Sequence, residues 1–154
     1  MVNSRRIVEN RSESYLCQRI KSQRNSTYSG PVLYCHLMYS DAILEHFRSP
    51  HNAGDLLDAT ATVEVTNPVC GDVLRLAVRM ENNQIAVARF KTQGCVAAIA
   101  SSSVLTDLLA GKSLEEARRI TPAQISDALG GLPPATLHAA QLCVDAVENL
   151  AHKL

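Results

Sequence analysis

The chain has 154 residues, with 15 Lys and Arg balanced by 15 Asp and Glu, five cysteines and no tryptophan. That length suits one domain with residues to spare, and no apolar run approaches the ~20 residues of a membrane-spanning helix. The charge is uneven: residues 1–37 hold Arg5, Arg6, Arg11, Arg19, Lys21 and Arg24 against Glu9 and Glu13, a net of +4, which leaves a mildly acidic remainder of −4 with no nucleic-acid footprint.

Cys17, Cys35, Cys70, Cys95 and Cys143 are odd in number and widely spaced, with no CxxC pair. That pattern fits a reducing compartment such as the cytoplasm and not a disulfide framework. Residues 1–37 show no helical or strand period and are rich in Ser, Arg, Asn and Gln. They are expected to be a disordered extension, a mitochondrial transit peptide (which would place the protein in the matrix), or sequence upstream of a true start at Met38. The folded domain is expected over 38–154.

Tyr39 to Phe47 is expected as a short helix with Ile43, Leu44 and Phe47 on one face, capped by Ser40 or Asp41. Arg48 to Gly54 is rich in breakers and reads as a loop. Thr60 to Val65 is β-branched and reads as a strand. Cys70-Gly71-Asp72 makes a turn, and Val73 to Met80 alternates with Leu74, Leu76, Val78 and Met80 on one face. Glu81-Asn82-Asn83-Gln84 is a hairpin turn, and Ile85 to Lys91 runs back. The expected sheet has three antiparallel strands, one face polar and the other covered by helices.

The rest reads as helical. Ala100, Val104 and Leu108 form one stripe with Leu105 and Leu109 beside it, and Gly111 is a candidate C-terminal cap. Ser113 to Glu116 and Thr121 to Gln124 are capping boxes, the second with Pro122 at the first helical position. The last helix is expected to face the sheet with Leu137, Ala140, Val144, Val147 and Ala151. Strands first and helices after make an α+β fold.

Chemistry-bearing residues fall at element boundaries, where a scaffold displays function. Cys70 and Asp72 lie in a turn between strands. Cys95 lies where a strand gives way to a helix, a place where free N–H groups stabilise a thiolate. His138 opens the last helix. Thiolate, imidazole and carboxylate together suit Zn²⁺ or an iron–sulfur cluster. Spacing alone leaves two readings open: a shared metal site, or a turn aspartate, a solvated histidine and packed cysteines. A Cys95–His138 nucleophile pair has no accompanying oxyanion feature, and no Walker or GxGxxG loop occurs.

From Met38 onward the chain resembles the U-type iron–sulfur cluster assembly scaffolds, IscU and the N-terminal domain of NifU. The likeness rests on Met38-Tyr39-Ser40, His46-Phe47-Arg48-Ser49-Pro50-His51-Asn52-Ala53-Gly54, Cys70-Gly71-Asp72, Arg89 to Cys95 running into Ala98 to Ser103, and Leu132-Pro133-Pro134. It implies a scaffold and not an enzyme. Such a scaffold takes sulfur from a cysteine desulfurase and iron from an iron donor, assembles a labile [2Fe–2S] cluster and passes it to apo-proteins, with Zn²⁺ or Fe²⁺ held at the same site. Carried over by the motifs, the cluster or metal ligands would be Cys70, Asp72, Cys95 and His138.

The family's third cysteine, in many members the sulfur acceptor, directly follows the histidine, and here that place is Ala139. Cys143 lies one helical turn further on. It is either a substitute ligand or acceptor, or a buried small residue. Thr136 stands where IscU-type members carry a lysine read by their chaperone. Loss of the third cysteine also allows a zinc-binding relative that assembles nothing and docks on the desulfurase to regulate it.

Overall fold

A computed structural model describes residues 38–154; the expectations for 1–37, with Cys17, Cys35 and His36, lie outside the described residues. The elements are α1 (Asp41–Arg48), β1 (Ala61–Thr66), β2 (Val73–Glu81), β3 (Gln84–Gln93), α2 (Val96–Leu109), α3 (Leu114–Ala117), α4 (Pro122–Ala128) and α5 (Leu137–Lys153), the last preceded by a single 3₁₀ turn at Pro134–Thr136. The strands form one antiparallel sheet in the order β1-β2-β3. The architecture is the α+β arrangement expected.

The hairpin turns at Asn82 and Asn83, both at positive φ (50° and 64°), a geometry that matches the twist of the flanking strands, and its register then shifts by one residue at a bulge between Arg79 and Met80. Leu74, Leu76 and Val78 of β2 lie under Thr92, Phe90 and Ala88 of β3 on the buried face. Alternate residues Arg75 and Lys91 pair on the exposed face. α2 packs on β3 and α5 on β1, closing the core over one side of the sheet. At the β3 edge, Ala53 bridges in parallel to Phe90, and Gly54 N–H donates to the Phe90 carbonyl at 2.8 Å. The loop after α1 is therefore tied to the strand that leads to Cys95.

Local signals are realised closely. Ser40 caps α1 by accepting from Ile43 N–H, and both capping boxes form. Three expectations need correction. α2 is not an amphipathic stripe: Ala97 to Thr106 are all buried, because α1, α4, α5 and the sheet surround it. Gly111 does adopt positive φ (76°), but its N–H goes to the Ile85 carbonyl and not back into α2, so the helix end is tied to the hairpin. The buried face of α5 is also rotated from the one expected. It is built on Ala139, Cys143, Ala146 and Leu150 with Ala140, Leu142 and Val147, while Leu137 is 47% exposed and Val144 and Ala151 are half-buried. A helix this rich in Ala carries two adjacent apolar stripes, and tertiary contact selects between them.

Candidate metal centre

The connection from β1 to β2 is a closed loop. Asn67 N–H donates to the Asp72 carbonyl, Gly71 N–H to the Asn67 carbonyl, and Val69 N–H to Asn67 Oδ1. Gly71 at φ +74° turns the chain, leaving Cys70 exposed and Asp72 only 5% exposed. Extending the Val73↔Gln93 register by one step sets Asp72 against Gly94. A Cβ on Gly94 would stand 2.6 Å from Asp72 Cγ and Oδ1. Only glycine lets the carboxylate lie there.

Cys95 is the N-cap of α2, its sulfur accepting from Ala98 N–H at 3.4 Å. Asp72 Oδ1 accepts the Cys95 N–H at 3.3 Å, and the Cys95 thiol faces Asp72 Oδ2 at 3.6 Å. On the other side, His138 Nε2 from the first turn of α5 stands 3.8 Å from the same Oδ2. One ligand atom each from Cys70, Asp72 and His138 lies within 4.8 Å of the others, and Cys95 joins them through Asp72. Four of the five candidate site residues therefore meet around one carboxylate.

The expected thiolate at the helix start needs qualifying. Burial raises the Cys95 thiol above its usual range, which outweighs the Ala98 N–H, and the Asp72 charge adds to the rise. Cys70 is raised as well, by desolvation first and then by Asp72. Without a cation both sulfurs are thiols at neutral pH. A divalent ion reverses the local balance by deprotonating them as it binds.

Cys143 stands apart. It is fully buried in the hydrophobic core, and burial pushes its thiol up to about 12 against the pull of the nearby Ser102 hydroxyl. Ala139, directly after His138, is likewise fully buried. A second group of ligating side chains, His46, His51 and Asp107, lies elsewhere in the described residues. In the sequence both histidines stand within the His46-to-Gly54 motif. The available signal was two histidines flanking Pro50, with the carboxylate supplied by a distant helix.

Residues 38–153 match the family model described as the NifU-like N terminal domain. The chain belongs to that family. NifU-like relatives include the iron-sulfur cluster assembly scaffold protein IscU 1 of Archaeoglobus fulgidus, 44% identical over 112 residues, covering 73% of each chain. The iron-sulfur cluster assembly enzyme IscU of Drosophila melanogaster is 39% identical over 133 residues, covering 84% of this chain and 83% of that one. Among solved structures, a NifU-like N-terminal protein from Brucella abortus superposes with a TM-score of 0.51 at 20% identity, covering 75% of this chain and 81% of that one. At that identity the likeness speaks for the NifU-like fold alone.

Proposed function

We propose that this chain is an iron–sulfur cluster assembly scaffold. It builds a transient [2Fe–2S] cluster on Cys70, Asp72, Cys95 and His138 and hands it to apo-proteins. The observation that carries this reading is the convergence of two thiols and an imidazole on the nearly buried Asp72 carboxylate, at one end of the sheet. The relatives' names as scaffolds support it.

The donor set of two sulfurs, one imidazole and one carboxylate suits iron–sulfur cargo and Zn²⁺ alike. Iron entering the site deprotonates Cys70 and Cys95. A thiolate so formed can attack the outer sulfur of a desulfurase persulfide, the donor's S–S bond breaking with its own thiolate leaving, and an external two-electron reductant such as a thiol or a ferredoxin then releases that sulfur as sulfide. Asp72 supplies a hard oxygen ligand that exchanges more readily than thiolate, which suits a cluster made to be released. With Ala139 in place of the third cysteine and Cys143 in the core, sulfur acceptance falls to Cys70 and Cys95. Val69, 90% exposed, and Leu137, 47% exposed, flank Cys70 and His138. These exposed apolar side chains are ones that a desulfurase or a recipient would cover.

Anaerobic reconstitution with ferrous iron, a desulfurase, cysteine as the sulfur source and a thiol reductant tests the reading. The wild type is expected to develop the visible absorbance of a [2Fe–2S] cluster and to lose it to an apo-ferredoxin, while Cys95→Ser develops none. Absence of absorbance and of acid-labile sulfide in the wild type would overturn the proposal.

A further inference from the structure

A second set of metal-ligating side chains gathers at the far end of α2. His46 comes from the last turn of α1, His51 from the loop behind it, and Asp107 from the last turn of α2. One ligand atom from each lies within 4.8 Å of the others, and the two imidazole rings stand 4.6 Å apart, tilted by 57°. Their supports are already built. The buried Ser103 hydroxyl oxygen lies 2.9 Å from His46 Nδ1 and accepts His51 N–H at 2.8 Å. Asn52 Nδ2 donates to Asp107 Oδ1 at 3.1 Å and to Thr106 Oγ1 at 3.2 Å. Oδ2 of Asp107 faces His51 Nδ1 at 2.6 Å.

We propose that His46, His51 and Asp107 form a second metal site, for a single divalent first-row transition ion, separate from the cluster site. With metal–ligand bonds of about 2.0–2.2 Å, neighbouring ligand atoms sit about 3.0–3.4 Å apart. His51 and Asp107 must then separate by less than about 1 Å from their direct contact. Both side chains have room to do so, being 51% and 43% exposed. A metal on His46 Nε2 requires the ring proton on Nδ1, where Ser103 is placed to accept it. Asn52 holds one carboxylate oxygen and leaves the other for the ion. Such outer partners orient ligands and raise affinity. Two neutral imidazoles and one carboxylate favour Zn²⁺, Fe²⁺ or Co²⁺ over Mg²⁺ or Ca²⁺. Water fills the open positions toward solvent.

The two sites do not share an ion. Asp107 lies twelve positions along the chain from Cys95, the N-cap of α2, about 18 Å of helix. The second ion would clamp the loop carrying His51 and Asn52 onto α2. That loop is the one whose Gly54 pairs with Phe90 of β3.

Co²⁺ binding to the full-length chain tests the proposal, read by dialysis, by absorption and by melting. In the variant carrying Cys17→Ser, Cys35→Ser, Cys70→Ser and Cys95→Ser, one Co²⁺ is expected to remain, with weak d–d bands and no sulfur-to-cobalt charge transfer, and the ion is expected to raise Tm. Adding His51→Ala and Asp107→Ser is expected to take that equivalent from one to none and to abolish the rise, with the metal-free Tm little changed. The proposal is overturned if the cysteine variant takes no Co²⁺ or gains no Tm, or if the added substitutions leave its binding intact. Because both cluster thiols are already removed and the added substitutions touch no cluster ligand, neither outcome depends on the scaffold reading.

Discussion

Asp72 holds Cys95 by two of its groups at once, accepting the backbone N–H at 3.3 Å through Oδ1 and facing the thiol at 3.6 Å through Oδ2. The same Oδ2 is the atom closest to His138. This carboxylate fixes where the N-cap residue of α2 points and adds to burial, the larger cause, in raising its thiol above the usual range.

Replacing Asp72 with Asn removes the negative charge and keeps the shape. Burial, the larger cause of the raised Cys95 thiol, stays, but the Asp72 contribution goes. The sign is downward: with less repulsion the thiolate forms at lower pH. Alkylation of Cys95 by iodoacetamide, followed by peptide mass spectrometry across pH, should show its midpoint moved down and its rate near neutrality raised several-fold. An unmoved midpoint would mean that Asp72 does not govern the sulfur.

Gly94→Ala should damage the site without touching a ligand. The new Cβ would meet Asp72 Cγ and Oδ1 at 2.6 Å, so the carboxylate must rotate away and lose both contacts to Cys95. Disturbing an orienting group typically costs 10–100-fold in metal affinity, and overpacking costs about 1–3 kcal/mol of stability. Competition with a chelator for Zn²⁺ and a denaturant titration check the two effects.

Cys143 gives the fold a dependence on alkaline pH. Its thiol is pushed up to about 12 by burial, against about 8.5 in an unfolded chain. Between those values the unfolded state releases a proton that the folded state keeps, so stability falls as pH rises. The slope is about 1.4 kcal/mol per pH unit, starting near the unfolded value. Urea titrations of metal-free wild type and Cys143→Ala across that range should differ in slope by about one proton. In the same variant the metal stoichiometry should be unchanged, because the thiol is packed among core side chains.

Much of this could be read from the chain because it is local. Asn82-Asn83 marks the hairpin turn, but it takes the one-residue register shift between Arg79 and Met80 to set Asp72 against Gly94, so the meeting of the Cys70 turn with Cys95 follows from the turn, the alternation and that bulge together. Ser113 and Thr121 announce their helices for the same reason. Long-range packing was less legible. The arrival of His138 at Asp72 depends on how α5 crosses β1, and nothing near residue 138 encodes that crossing. The buried face of α5 differs from the one its hydrophobicity predicts because Leu137 and Val144 are the more apolar residues, yet α2 packs closely against the smaller Ala139 and Cys143 side. Asp107 joins His46 and His51 only through the packing of α1 on α2.

X-ray absorption at the zinc edge is the most direct measurement of the proposed ligand set. One equivalent of Zn²⁺ would be loaded on a chain carrying Cys17→Ser, Cys35→Ser and His51→Ala, so that sulfur signal comes only from Cys70, Cys95 and Cys143. Expected are two sulfurs at about 2.3 Å and two nitrogen or oxygen neighbours at about 2.0–2.2 Å. A shell of three sulfurs would bring Cys143 into the site, and a shell with none would remove Cys70 and Cys95 from it; either would contradict the ligand set of Cys70, Asp72, Cys95 and His138.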